Sequence, residues 1–270
     1  MTGEPPIASS GAVPARLAEL FGTLDDVRSL GGGVWRIRVA GRDLVVKTGT
    51  GVTDEAEGLS ALAAVGGAPP VPAVVRVELD LLVSTFVEEG RRTAAHEEAL
   101  GRGLAVLHGA VWPTWGGGSG WIGSCPVGPG EHPDAATFYA DRLLELGQRC
   151  GLGPDVAAVV DRLAELLPSG GPALVHGDLW WGNVLWGADG RAWLIDPSAH
   201  GGHPEEDLAM LGLFGPVPDR LLRAYLEVHP LEPGWPDRVD LFRLIPLLVH
   251  TVLFGGGYRQ QAEAALHRFR

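Results

Sequence analysis

The segment LVHGDLWWGNVLW, from Leu174 to Trp186, sets His176, Asp178 and Asn183 into a run that otherwise belongs in a core, and Asp196 follows thirteen residues after Asn183. Two carboxylates and an amide at these separations suit phosphoryl transfer. One carboxylate orients an attacking hydroxyl and accepts its proton, while an amide oxygen and the second carboxylate hold Mg²⁺ against nucleotide phosphates. In this reading Asp178 is the base and Asn183 and Asp196 are the metal ligands.

That chemistry needs the three side chains at one place, and the surrounding pattern supplies the means. The spacing H-x-D-x-x-x-x-N is that of the kinase catalytic loop. ALVH and RAWLID read as short strands, and VLW-GADG-RAWLID as a hairpin whose turn carries Asp189 and Gly190. Asp178 to Asn183 then lie on the loop after one strand and Asp196 just past a hairpin strand. All three meet at one end of the hairpin.

Upstream, VRSLGGGVWRIRVAGRDLVVK (27–47) reads as consecutive antiparallel strands with a glycine hinge before or within the first. A helix is expected from about Asp54 to Val65, with Asp54 and Glu57 as a capping box. Strands resume in PPVPAVVRVELDLLVSTFVEEG. The first 87 residues thus form a small sheet carrying one helix, and a mainly helical lobe follows, clearest in PDVAAVVDRLAELL. A cleft between two such lobes is a natural ligand site. Lys47, ending an apolar strand, is placed to bridge nucleotide phosphates, with Glu55 or Glu57 on the next helix to hold it. Gly31, Gly32 and Gly33 would let backbone N–H groups approach phosphate.

Composition narrows the alternatives. A net charge of −12 would repel nucleic acid and anionic membrane. Cys125 and Cys150 form no metal-spaced set and suggest no disulfide scaffold, so a reducing cytoplasm is expected. The N-terminus shows no signal peptide, and residues 1 to about 12 are expected to be loosely held. LFRLIPLLVHTVLF, interrupted by Arg243, Pro246 and His250, reads as a buried helix rather than a membrane span. A zinc reading of His200-x-x-His203 with Glu205, Glu206 and Asp207 lacks a convincingly spaced third ligand, and Gly201-Gly202 looks like a pliant linker. His108 and His250 sit in apolar helical segments as core histidines. His176 is expected to brace the loop, and Asp207 to anchor it from a neighbouring helix.

Beyond single motifs, the chain resembles the kinase-like small-molecule phosphotransferases and, within them, the fructosamine kinase (ketosamine 3-kinase) family. LVHGDLWWGN carries the likeness most specifically, joined by EAEGLSAL, LAVLH, FYADRL, IDPSAHGGHPEEDLAMLGLFG and LLVHTVLFGGGY. The resemblance implies an α+β, protein-kinase-like bilobal fold, with a nucleotide-binding lobe over 1–87 and a catalytic and substrate lobe over 88–270. It implies ATP and Mg²⁺ as cofactors and a ketoamine hydroxyl as acceptor, in free or protein-bound form, serving deglycation. Register in EAEGL favours Glu55 as the partner of Lys47. By position, adenine would meet backbone groups of Thr85, Phe86 and Val87, between Val45 and Leu185. Trp180, Trp181 and His203 are the expected acceptor contacts; Trp181 stands where a small residue is common in the family. A monomer or homodimer is expected. The competing readings are an aminoglycoside- or choline-type phosphotransferase and an inactive nucleotide-binding regulator.

Overall fold

The computed structural model describes residues 12–128 and 130–270, with side chains from residue 15 onward. The loosely held terminus expected before them lies outside the described residues. The chain falls into two compact units: one runs to Thr53 and resumes over Ala73–Phe86, and the other comprises Asp54–Pro72 and Val87–Arg270.

In the smaller unit, α1 (Ala12–Phe21), a helix the sequence pattern did not reveal, precedes β1 (Asp26–Gly31), β2 (Val34–Val39), β3 (Arg42–Thr48), β4 (Val74–Glu78) and β5 (Leu81–Thr85). The strands form one antiparallel sheet in the order β1-β2-β3-β5-β4. Alternation along β3 sends Leu44 and Val46 into a core with Leu17, Ile37, Leu81 and Val83, and leaves Val45 and Lys47 on the other face. Gly31, Gly32 and Gly33, with φ of 93°, 56° and 77°, make the turn between β1 and β2. The expected hinge before or within the first strand is therefore a hairpin tip, since three successive left-handed residues reverse the chain rather than bend it.

The larger unit takes all but the first two residues of α2 (Val52–Ala63). This helix starts ahead of the capping box expected at Asp54, whose carboxylate accepts the Gly120 N–H at 3.0 Å instead. After it come α3 (Ala94–His108), β6 (Trp115–Gly118), β7 (Trp121–Ile122), β8 (Cys125–Pro126), β9 (Glu131–His132), α4 (Ala135–Cys150), α5 (Gly153–Val160) and α6 (Leu163–Leu166). Then follow β10 (Ala173–Val175), β11 (Val184–Trp186), β12 (Ala192–Leu194), β13 (His200–Gly202), α7 (Pro204–Leu211), α8 (Asp219–Leu226), α9 (Trp235–Phe242), α10 (Leu244–Phe254) and α11 (Gly257–Phe269). The single helix expected over PDVAAVVDRLAELL breaks at Asp161–Arg162, where the Arg162 guanidinium reaches the Phe269 carbonyl at 2.9 Å.

The core of this unit joins α4, α5, α9, α10 and α11 through residues such as Leu146, Val156, Leu244, Leu248 and Leu266, all fully or almost fully buried. Each aliphatic side chain so buried contributes roughly 1.5–3 kcal/mol before its entropy cost. Against this helical mass stands a four-stranded sheet in the order β10-β13-β6-β9. Its close packing depends on glycine: a Cβ on Gly201 would stand 2.0 Å from the Thr114 carbonyl oxygen. SAHGGH is accordingly a buried strand and its flanks, not the pliant linker its glycines suggest. Among the described residues no helix is long and apolar enough to cross a membrane. The α+β organisation is the expected one.

Candidate active site

β10 leads into His176, which is fully buried, and the chain turns at Gly177 with φ 79°. A Cβ there would lie 2.2 Å from the Ser198 carbonyl oxygen, so only glycine fits. Leu179, also fully buried, pins the loop beyond Asp178. A single 3₁₀ turn over Trp181–Asn183, closed by the Asn183 N–H on the Trp180 carbonyl at 2.9 Å, leads directly into β11. β11 and β12 pair Val184 with Leu194, and the next bond runs from the Ile195 N–H to the Asn183 carbonyl at 3.1 Å. Asp196 therefore emerges beside Asn183, in a left-handed conformation (φ 56°) that non-glycine residues seldom adopt. The Ser198 N–H on the His176 carbonyl at 2.9 Å closes the circuit.

These bonds bring Asp178, Asn183 and Asp196 together. The Asn183 amide donates from Nδ2 to the Asp178 carbonyl at 2.8 Å and to its Oδ2 at 3.4 Å, which leaves Oδ1 as the accepting end of the amide. Burial pushes the Asp178 carboxyl up to about 7; the charge of Asp196 adds to this and the Asn183 hydrogen bond opposes it. A carboxyl near 7 is matched to taking a proton from an alcohol at neutral pH. The mutual repulsion of Asp178 and Asp196 also marks where a cation would be welcome, and carboxylate and amide oxygens are the hard donors that suit Mg²⁺. Among the described residues no group of three or more His, Cys, Asp or Glu side chains is placed to hold a metal.

A buried polar network fixes the loop from behind. Asp207 of α7 accepts the His176 N–H at 2.8 Å, the Gly177 N–H at 3.0 Å and a contact from His108 Nε2 at 3.1 Å. His108 Nδ1 meets the Tyr225 hydroxyl at 2.8 Å. Burial alone would raise the Asp207 carboxyl, but the His108 and backbone hydrogen bonds outweigh it and hold the group below the usual carboxylate range. His176 accepts the Asp178 N–H on Nδ1 at 3.3 Å, so its Nε2 carries the hydrogen donated to the Ile195 carbonyl at 3.0 Å. Burial keeps the ring neutral by lowering its pKa. His176 and Asp207 thus sit where loop-bracing residues were expected. Tyr225 was missed; its sequence signal, one tyrosine on a short amphipathic helix, is indistinguishable from core packing.

The remaining residues singled out by sequence lie as follows. Lys47 pairs in register with Val34 and Leu82, and Val45 with Arg36 and Ser84. The Phe86 N–H is donated to the Asp43 carbonyl at 3.3 Å and its ring lies 4.1 Å beneath the Arg36 guanidinium, so that amide is already spent within the sheet. Thr85 takes the Ala73 N–H on its hydroxyl at 3.0 Å. Glu55 is in the first turn of α2, Leu185 in the middle of β11, and Val87 is buried at the start of the larger unit's second segment. Trp180 is 38% exposed and meets Phe214 edge-on at 5.8 Å. Trp181 instead packs against Trp186 and under the Arg92 guanidinium, 4.5 Å from its ring centre. His203 caps α7, accepting the Glu205 N–H at 3.2 Å and stacking on Phe242 at 5.3 Å, so its ring is occupied by structure.

Comparison with known proteins agrees with the fold. The fructosamine kinase family model matches residues 45–270. A "probable ketoamine kinase" of Thermus thermophilus is 36% identical over 239 residues, covering 84% of this chain and 87% of that one. A solved structure from Thermobifida fusca, named provisionally as a fructosamine-3-kinase, superposes with a TM-score of 0.86 at 37% identity, covering 95% of this chain and 98% of that one. The choline kinase LicA of Streptococcus pneumoniae, at 16% identity, covers 95% and 97% with a TM-score of 0.63, which shows the shared phosphotransferase fold and no more. This chain belongs to the fructosamine kinase family.

Proposed function

We propose that the protein is an ATP-dependent kinase that phosphorylates a sugar hydroxyl of a ketoamine, the adduct of a sugar with an amine or a protein lysine. The observation that carries the reading is the convergence of Asp178, Asn183 and Asp196 at one end of the β11–β12 hairpin, with Asp178 tuned to about 7. Asp178 accepts the hydroxyl proton and aims the oxygen at the γ-phosphorus. Asn183 Oδ1 and Asp196 would hold Mg²⁺, which when bound neutralises phosphate charge. Asp207, His108 and Tyr225 keep the loop from relaxing as the site fills.

For the nucleotide, Lys47 with Glu55, the Gly31–Gly33 turn, Val45, Leu185 and backbone groups of Thr85 to Val87 are the proposed contacts. On the acceptor side Trp180 offers an exposed aromatic face to C–H surfaces of a sugar. Trp181 and His203 are left out of the acceptor set because their rings are packed. Phosphorylation next to the ketone would destabilise the adduct, so deglycation in the cytoplasm is the proposed role. The relatives' names support this acceptor over an antibiotic or choline.

The test is an acceptor panel. ADP release is followed with ATP and Mg²⁺ in the presence of fructose-lysine, ribulose-lysine, erythrulose-lysine and aminoglycosides. Turnover confined to ketoamines is expected; turnover confined to an antibiotic would replace the reading, and nucleotide binding without any turnover would point to a regulator.

A further inference from the structure

Three large apolar side chains that stay exposed, Trp180, Phe214 and Phe254 at 38%, 41% and 68%, belong to one patch of the larger unit. The Phe214 ring lies 5.8 Å from Trp180 and 5.1 Å from His250, and His250 lies 5.7 Å from Phe254 and 4.9 Å from Tyr258. Five rings thus follow one another from a residue two past Asp178 to the start of α11. The LFGGGY motif builds the far end. Gly255 and Gly256, with φ of 64° and 56° and ψ of −144° and −126°, take a conformation open to glycine and double the chain back, so that Tyr258 returns onto α10. His250, expected as a core histidine, is only half-buried there. Its Nδ1 lies 2.7 Å from the Pro246 carbonyl and must donate to it, which leaves Nε2 of the neutral ring as an acceptor. Arg259, next to Tyr258, has its guanidinium engaged by Glu263 at 2.9 Å and the Cys150 carbonyl at 2.5 Å. A single exposed ring is ordinary, whereas a continuous aromatic patch beside a catalytic loop marks a binding surface.

We infer that this aromatic wall binds the amine-bearing end of the acceptor, its protonated nitrogen and the apolar stem attached to it. The inference rests on the proposed function and narrows it. Chemistry decides which end of a ketoamine lies here. The nitrogen is a cation at neutral pH, and aromatic faces attract a cation through their quadrupole. His250 Nε2 can accept one of its N–H groups, and the ring carbons of Phe214, Phe254 and Tyr258 suit the methylenes of a lysine stem. The other end of the acceptor carries an oxygen on every carbon and needs as many hydrogen-bond partners, which a wall made mostly of ring carbons does not supply. Trp180, nearest Asp178 in the chain, takes the sugar carbons close to the reacting hydroxyl, and the further rings follow the acceptor outward. Because Phe254 is 68% exposed, the outer end of the wall is open to an adduct on a protein lysine as well as to a free one.

The experiment compares two acceptors of equal length, 1-butylamino-1-deoxyfructose and its neutral isostere 1-O-butylfructose, in which an ether oxygen replaces the ammonium. Wild type should prefer the ammonium by about tenfold or more in kcat/KM, mostly through the acceptor KM, the scale of a cation on aromatic faces with one charge-assisted hydrogen bond. The double variant Phe214→Leu, Phe254→Leu keeps apolar surface and removes two π faces. Its preference for the ammonium should fall about fivefold, with KM for ATP unmoved. A merely structural role for the rings would lower both acceptors together and leave their ratio intact. The inference is overturned if wild type treats the two acceptors alike, a result that does not depend on any variant folding, or if the double variant keeps the wild-type ratio. Titration calorimetry with a non-hydrolysable ATP analogue present gives the same ratio as dissociation constants. Absence of turnover on every ketoamine would therefore refute the proposed function, while the binding ratio would still decide the inference.

Discussion

Replacing Asp207 by asparagine changes almost no volume and tests whether the catalytic loop is held by that carboxylate. Both of its oxygens are in use: Oδ2 accepts the His176 N–H at 2.8 Å and faces His108 Nε2 at 3.1 Å, and Oδ1 accepts the Gly177 N–H at 3.0 Å. Asparagine has one accepting oxygen. Its NH₂ must then face either one backbone N–H or the other together with His108, placing donor against donor at a site that is 1% exposed. One orphaned buried donor costs about 1–3 kcal/mol. Adding the strained His108 contact, itself charge-assisted, gives a loss of about 3–5 kcal/mol, a large share of the 5–15 kcal/mol typical of a folded domain. Urea unfolding followed by tryptophan fluorescence should show the midpoint lowered by about 1–2 M for an ordinary slope. Turnover should fall as well, since Gly177 directly precedes Asp178. A loss under about 1 kcal/mol would mean that the loop is held by the β10–β13 pairing and that Asp207 is dispensable.

Two further predictions concern the same scaffold. His203 is buried with its pKa pushed down to about 4, chiefly by burial, against about 6.5 in an unfolded chain. Between those values the unfolded chain binds the extra proton, so this group lowers stability as pH falls from about 6.5 towards 4, by about 2–4 kcal/mol at the lower end. Urea titrations at pH 7.5 and 5 should show that slope, and it should flatten in His203→Asn, which can still cap α7; an unchanged slope would assign the acid sensitivity elsewhere. Gly201→Ala drives a methyl to 2.0 Å from the Thr114 carbonyl oxygen and should cost about 3 kcal/mol, read as a drop in Tm; a variant as stable as wild type would show that β6 and β13 can part.

The parts that were legible in the sequence share a local cause. Asp178 and Asn183 are five residues apart, and the hairpin that returns Asp196 to them has its turn chemistry in the Gly187–Gly190 stretch, where Asp189 accepts the Arg191 N–H at 3.0 Å. Motif spacing, strand alternation and turn residues all act over a dozen residues. What escaped depends on distant neighbours. β6, β9 and β13 are two to four residues long, and β6 and β13 are mostly glycine, so no alternation exists to read, and their pairing is set by partners as far off as Gly118 and His200. Asp54 looked like a helix cap because the competing partner, the Gly120 N–H, is 66 residues away. His203 and Trp181 looked like ligand contacts because polarity and aromaticity in a loop do not disclose whether Phe242 or Arg92 already occupies the ring.

The proposed role of Asp178 as catalytic base is open to direct measurement. Steady-state turnover of a ketoamine with ATP and Mg²⁺ should fall by about 10²–10⁴ in kcat for Asp178→Asn, with KM for ATP little changed, because the amide keeps the loop's shape and cannot take the proton. An Asp178→Asn enzyme within a few fold of wild type in kcat would contradict it.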